Sequence, residues 1–97
     1  MSINVQVNFL GIYQRIAGKK RVHLELENNS TIENAVSELA KKVSEEFKQA
    51  LIDNQHDEPR PKALILVDGK DISVLQGLET KINQAKEITL IPMVHGG

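Results

Sequence analysis

The sequence predicts an α+β roll: a mixed sheet of four to five strands with one long helix packed across it. Three observations carry that expectation. Two early segments alternate strictly between apolar and polar residues, the mark of a half-buried strand. In the first, Ile3, Val5, Val7 and Phe9 interleave with Asn4, Gln6 and Asn8; in the second, Val22, Leu24 and Leu26 interleave with His23, Glu25 and Glu27. The third observation is an apolar stripe at helical spacing, Ile32, Ala35, Val36, Leu39, Val43, Phe47 and Leu51, placed after the strands and before further strand-like runs. The resulting order is β-β-α-β-β-turn-β, which closes as two layers around one core.

Each element has a local reason. Gly11 and Gly18 punctuate the stretch between the first two strands, so residues 11–21 read as a looped hairpin. Asn28-Asn29-Ser30-Thr31 is polar turn material, and either Ser30 or Thr31 can cap the helix that follows; Ser30 with Glu33 fits a capping box. On the helix, Glu38 and Lys42 have the four-residue spacing that brings opposite charges together. Residues 53–62 read as a loop because Pro59-Arg60-Pro61 excludes helix continuation. Ala63 to Val67 is a continuous apolar run read as a central strand. Asp68-Gly69 after it is a tight-turn signal leading into Lys70-Asp71-Ile72-Ser73. Gly77 argues against a long helix between Val74 and Ala85, leaving one short helical turn around Leu78 to Ile82. The last strand is Glu87 to Met93, with Ile88 and Leu90 facing the core and Thr89, Ile91 and Met93 on the opposite face. The expected core joins Val5, Val7, Val22, Leu24, Val36, Leu39, Val43, Leu66 and Leu90.

Ninety-seven residues suit one domain, with room for a core but not for a core plus an enclosed active site. Residues 1–92 form that domain in this reading, and 93–97 a flexible tail. Twelve basic against thirteen acidic residues leave a net charge of −1, which gives no field to attract nucleic acid or an acidic membrane. Lys19-Lys20-Arg21, the one basic run, reads as a solvated turn, and Glu25 with Glu27 as a solvated strand face. The absence of cysteine excludes disulfides, thiolate metal sites and a cysteine nucleophile. His56 beside Asp57 and Glu58 has no second histidine at ligand spacing, so no metal site is expected. The Met1-Ser2-Ile3-Asn4 start lacks a basic and an apolar targeting region, and no apolar run approaches a membrane span. A cytoplasmic protein is the expectation.

The sequence ends Val94-His95-Gly96-Gly97. Glycine lacks a Cβ, so a diglycine tail can thread a channel too narrow for any side chain. A carboxylate presented that way can be enclosed by a partner enzyme and converted with ATP to an acyl adenylate, which sulfur or amine nucleophiles then attack. From Met93 to Gly97 an extended tail reaches roughly 16 Å at ~3.3 Å per residue. That is enough to enter a buried site while the folded body stays outside.

With these features in place the chain resembles the ubiquitin-like β-grasp sulfur carriers and modifiers. That group includes the ubiquitin-related modifier Urm1, the archaeal small modifier proteins, the small subunit of molybdopterin synthase and the thiamine-pathway sulfur carrier. The resemblance covers the whole chain in element order. It rests on Val7-Asn8-Phe9 in the opening strand, the helix entry Thr31-Ile32-Glu33-Asn34, the Val67-Asp68-Gly69-Lys70 turn and a last strand running into diglycine. Leu64-Ile65-Leu66-Val67 and the Val94-His95-Gly96-Gly97 ending resemble Urm1 most. Pro92 is instead similar to the proline-containing ending of the molybdopterin synthase subunits, from which Met93 and His95 depart. Asn83-Gln84-Ala85-Lys86-Glu87 departs from the acidic turn usual before that strand.

The resemblance implies a carrier and substrate, not an enzyme. An E1-like enzyme would adenylate Gly97 using its own ATP and Mg²⁺. A persulfide enzyme would supply sulfur to give a thiocarboxylate, which would serve tRNA thiolation through an acceptor enzyme; lysine conjugation is a second outlet. Gly96 and Gly97 are then the attachment residues, and Ile91, Met93, Val94 and His95 the partner-binding ones. No catalytic residue, bound cofactor or metal, and no direct contact with nucleic acid or membrane, is expected of this chain. The alternatives are the small subunit of molybdopterin synthase, donating sulfur to the molybdenum cofactor precursor, and a β-grasp module that binds partners without using its C-terminus.

Overall fold

The computed structural model describes residues 2–53, 60–61, 63–83 and 87–92. Its main sheet is built from β1 (Ser2–Phe9), β2 (Arg21–Glu27), β5 (Ala63–Val67), β6 (Lys70–Asp71) and β7 (Glu87–Pro92), in the order β2-β1-β7-β5-β6. β1 and β2 pair antiparallel in one unbroken register, Ser2 opposite Glu27 through Asn8 opposite Arg21. β7 is the middle strand, parallel to β1 and antiparallel to β5. Two residues at each end of the 52–61 segment, Ile52–Asp53 (β3) and Arg60–Pro61 (β4), form a separate antiparallel pair. The expected loop is therefore closed at its base; His56 lies outside the described residues.

Among the described residues, helices cover one face of the sheet and leave the other open. Val5, Val7, Phe9, Val22, Leu24, Leu26, Ile65, Val67, Ile88 and Leu90 are buried beneath the helices, as the period of two requires. Val43 packs against this core while half-buried. Leu66, expected in the core, is turned the other way, because Ile65 and Val67 hold the inward positions of β5. A continuous apolar run carries no alternation from which the inward parity can be read, and pairing with β7 sets it: Ile65 lies opposite Leu90, and Leu66 opposite Thr89.

The helical layer differs from expectation in three respects. Residues 11–21 are not an open loop: Ile12–Ala17 forms a short helix, α1, closed by Gly18 in the left-handed conformation (φ 75°). Tyr13 on α1 is buried, and its ring lies 5.8 Å from that of Phe47, which in turn sits 5.1 Å from Phe9. These tilted contacts fasten α1 to the core. The long helix is two: α2 (Ile32–Val43) and α3 (Glu45–Leu51). Ser44 between them is fully extended, and its Oγ accepts from Phe47 N–H at 3.0 Å, starting a new helix that turns Phe47 and Leu51 inward. The cap of α2 is Thr31, not Ser30. Its hydroxyl accepts from Asn34 N–H at 3.2 Å while Asn34 Oδ1 accepts from Thr31 N–H at 2.9 Å, so Asn34 fills the role expected of a glutamate. Glu38 pairs with Lys41 at 3.9 Å, both exposed; such a pair contributes little.

After the Asp68-Gly69 turn, whose φ values of 49° and 85° match a two-residue hairpin, the chain makes two 3₁₀ turns, Ile72–Val74 and Gly77–Glu79. They replace the single helical turn expected near Leu78. The segment then docks on the start of α2 through Ile32 N–H to Thr80 O (3.0 Å) and Ile82 N–H to Ser30 O (2.9 Å), with Ile82 fully buried.

Candidate functional site

β7 ends at Pro92 in the middle of the sheet, and three neighbours surround that end. β7 is bonded to β1 only as far as Phe9 opposite Leu90, after which Leu10 N–H donates to Leu90 O at 3.2 Å and the chain turns away at Gly11. Among the described residues, Ile91 and Pro92 therefore have a strand on one side only, where they lie opposite Leu64 and Ala63. Leu90 directs its carbonyl toward β1, so the backbone nitrogen of Pro92, two residues on, points to that same side. There β1 has already ended, and a missing N–H leaves no ladder bond unmade. The Pro92 ring instead packs on Gly11. A Cβ built on Gly11 would lie 2.7 Å from Pro92 Cγ, and the Gly11 backbone (φ 57°, ψ −129°) is one that side chains rarely adopt.

Ile91 faces outward, as the alternation of β7 predicts, and is half-buried. Beside it on the open face stand Leu64, its cross-strand neighbour, and Leu66, both half-buried, while Leu10 extends the group at 44% exposure. Leu64 and Leu66 were missed as surface residues in the sequence because Ala63 to Val67 reads as wholly interior. The signal that distinguishes them is the pairing with β7, which is tertiary. Ile12, exposed at 46%, begins α1 next to Gly11. Met93, Val94, His95, Gly96 and Gly97, the remaining residues assigned to partner binding and attachment, lie outside the described residues.

Elsewhere, among the described residues, the surface holds no converging chemistry. Lys19, Lys20 and Arg21 are exposed where the chain enters β2, and Lys19 and Lys20 with Arg15 border a shallow depression next to Gly18. Glu25 and Glu27 are exposed on β2. Among the described residues, no group of histidines and carboxylates is placed to hold a metal ion, and no helix is long and apolar enough to cross a membrane. Burial pushes the Tyr13 phenol above its usual value, but its ring is part of the core packing.

A mixed five-stranded sheet with helices on one face, whose middle strand is the last in chain order, defines a ubiquitin-like β-grasp protein. Solved structures agree on the fold. The small archaeal modifier protein 1 of Methanosarcina acetivorans superimposes with a TM-score of 0.80 at 24% identity, covering 100% of this chain and 99% of that one. Urm1 from Trypanosoma brucei gives 0.74 at 23%, covering 99% and 97%. A chain of the Amycolatopsis orientalis BexX/CysO complex gives 0.72 at 20%, covering 96% and 99%. No curated protein sequence matches the chain. The family model of Urm1 (ubiquitin related modifier) matches residues 4–97, and the chain belongs to that family of small ubiquitin-like sulfur carriers.

Proposed function

We propose that this chain carries sulfur on its C-terminus and serves as a protein modifier, with the Gly97 carboxylate as its reacting group. The carboxylate attacks the α-phosphate of ATP held by an E1-like enzyme, pyrophosphate leaves, and an acyl adenylate forms. A persulfide sulfur on a donor enzyme then displaces AMP. A thiol cleaves the resulting acyl disulfide, leaving a C-terminal thiocarboxylate on Gly97 and a disulfide on the donor side. The thiocarboxylate supplies sulfur for tRNA thiolation, or the activated carbonyl is taken by a lysine amine. Mg²⁺ and ATP belong to the partner, and this chain contributes the acyl group and the surface that presents it.

The observation that carries this reading is the family match, which runs through Gly97. The base of the tail supports it. Leu10, Leu64, Leu66 and Ile91 place an apolar group on the open face at the point where β7 ends, suited to docking a partner while the tail enters its active site. Met93 continues that patch in this proposal, and Val94 and His95 line the partner's channel. The BexX/CysO complex, in which a protein of the same fold is bound to another, is consistent with a protein partner.

Intact-mass spectrometry of the protein isolated from its own cells tests the proposal. The expected result is a fraction whose mass has gained the difference between one sulfur and one oxygen, located by fragmentation at Gly97. Finding the C-terminus always as the free acid, including after incubation with the activating and persulfide enzymes and ATP, refutes it.

A further inference from the structure

Among the described residues, β2 leaves a seven-residue edge of the sheet open, and its chemistry is self-complementary. Phe9 N–H donates to Lys20 O at 2.9 Å, and the β1–β2 register continues from there without interruption. Backbone direction alternates along an antiparallel strand. Val22, Leu24 and Leu26 therefore turn their N–H and C=O groups toward β1, while Arg21, His23, Glu25 and Glu27 turn theirs to the open edge. Among the described residues only one of these outward groups is engaged, the Glu27 carbonyl, which accepts from Ser30 N–H at 3.1 Å. The side chains of the same four residues are exposed, and in order they run basic, imidazole, acidic, acidic.

We propose that β2 pairs with β2 of a second copy of this chain, antiparallel about a two-fold axis at Leu24, so that one sheet runs through both molecules. In this register Arg21 faces Glu27 of the second copy and His23 faces Glu25. All four are residues whose backbone groups point outward, as hydrogen-bonded antiparallel pairs require. Other registers match less completely. Sliding the pairing by two residues in one direction keeps Arg21 opposite Glu25 but sets His23 against His23, sliding it in the other sets Glu25 against Glu25, and a parallel pairing aligns like with like. Charges on an edge strand ordinarily discourage association. Here their order favours the register centred on Leu24, in which all four outward residues meet a complementary side chain. On the inner side the same pairing puts Leu24 beside Leu24 and Val22 beside Leu26, continuing the apolar face of the sheet. A contact one strand wide is small, so the dimer is transient and concentration-dependent.

The test is sedimentation equilibrium together with amide NMR of the full chain, from roughly 10 µM to about 1 mM. The expected result is a reversible monomer–dimer equilibrium in which the amides of residues 21, 23 and 25 shift with concentration more than those of 22, 24 and 26. Arg21→Glu and Glu27→Arg should each weaken self-association about tenfold, because each variant's homodimer contains two like-charge pairs. Mixing the two variants should restore association to the original strength, and so should combining both changes in one chain. Thermal melts confirm that these exposed substitutions leave the fold intact. A protein that stays monomeric at the top concentration overturns the proposal. So does a dimer that Arg21→Glu leaves unchanged, or one in which the mixed pair is no tighter than either variant alone.

Discussion

Gly11→Ala tests the link between a backbone conformation and the exit of the tail. Two costs are expected. The first is conformational: φ 57° with ψ −129° lies outside the regions open to alanine, and holding a side chain there costs on the order of 1–3 kcal/mol. The second is steric. The new methyl would sit 2.7 Å from Pro92 Cγ, and relieving overlap of that kind in a packed site costs roughly 1–3 kcal/mol. Allowing for partial relief by ring movement, the sum is about 3 kcal/mol. In a protein of this size that lowers Tm by more than about 10 °C, at ~4–8 °C per kcal/mol. Gly18→Ala is the internal control, because Gly18 also has positive φ (75°) but nothing lies within 4 Å of its added Cβ. It should cost only about 1–2 kcal/mol. Urea unfolding of Gly11→Ala, Pro92→Ala and the double variant separates the two contributions. If the ring is the obstacle, the double variant is more stable than the sum of the singles by roughly 1 kcal/mol. Equal losses at Gly11 and Gly18, or strict additivity with Pro92→Ala, refute the argument that Gly11 is there for close approach to Pro92.

Three further expectations follow from the same structure. Ile91→Asp and Leu64→Asp, on the open face, should each leave a cooperative unfolding transition within about 1 kcal/mol of the parent. Each should lower the rate of AMP-forming activation at least tenfold, since a charge in a desolvated contact is costly; unchanged activation kinetics would place docking elsewhere. Deleting Gly96-Gly97, or adding one bulky residue after Gly97, should leave Tm within experimental error yet abolish adenylation and every covalent adduct, read by AMP release and intact mass. Full sulfur transfer by the truncated protein would refute the carrier reading. Burial raises the Tyr13 pKa above 10.0, so on alkaline titration the unfolded chain loses its phenolic proton first and binds fewer protons than the folded one. The stabilisation is therefore complete below pH 10 and is lost as pH rises through the raised value. Tyr13→Phe should flatten that decline in urea-unfolding free energy, and an unaltered slope would show that another group causes it.

Local patterns were enough for much of the architecture. Strict alternation fixed β1 and β2 and their inward faces, because a period of two with one wet face has only one arrangement that hides its apolar side, and the inward placement of Ile88 and Leu90 on β7 was read from the same period. Helical spacing placed Ile32, Ala35, Val36 and Leu39 in the core, and Asp68-Gly69 had the residues for its turn. The diglycine ending and the outward placement of Ile91 were also legible from sequence. Where two outcomes were locally equivalent, tertiary contact decided. α1 spans only six residues between two glycines, too short to be stable without the burial of Tyr13 against Phe47, although Ile12, Tyr13, Ile16 and Ala17 are spaced for it. The stripe from Ile32 to Leu51 is equally compatible with one helix or two, and the packing of Phe47 and Leu51 against the core accompanies the break at Ser44. The all-apolar run of β5 has no parity of its own, so its register against β7 selected Ile65 and Val67 for the core and left Leu64 and Leu66 on the open face. Strand order lies beyond local pattern altogether. That β7 inserts between β1 and β5, bringing Pro92 beside Gly11 and Ala63, depends on β1 pairing with residues 81 positions further along the chain, and pairings of that range are selected by the core they jointly close.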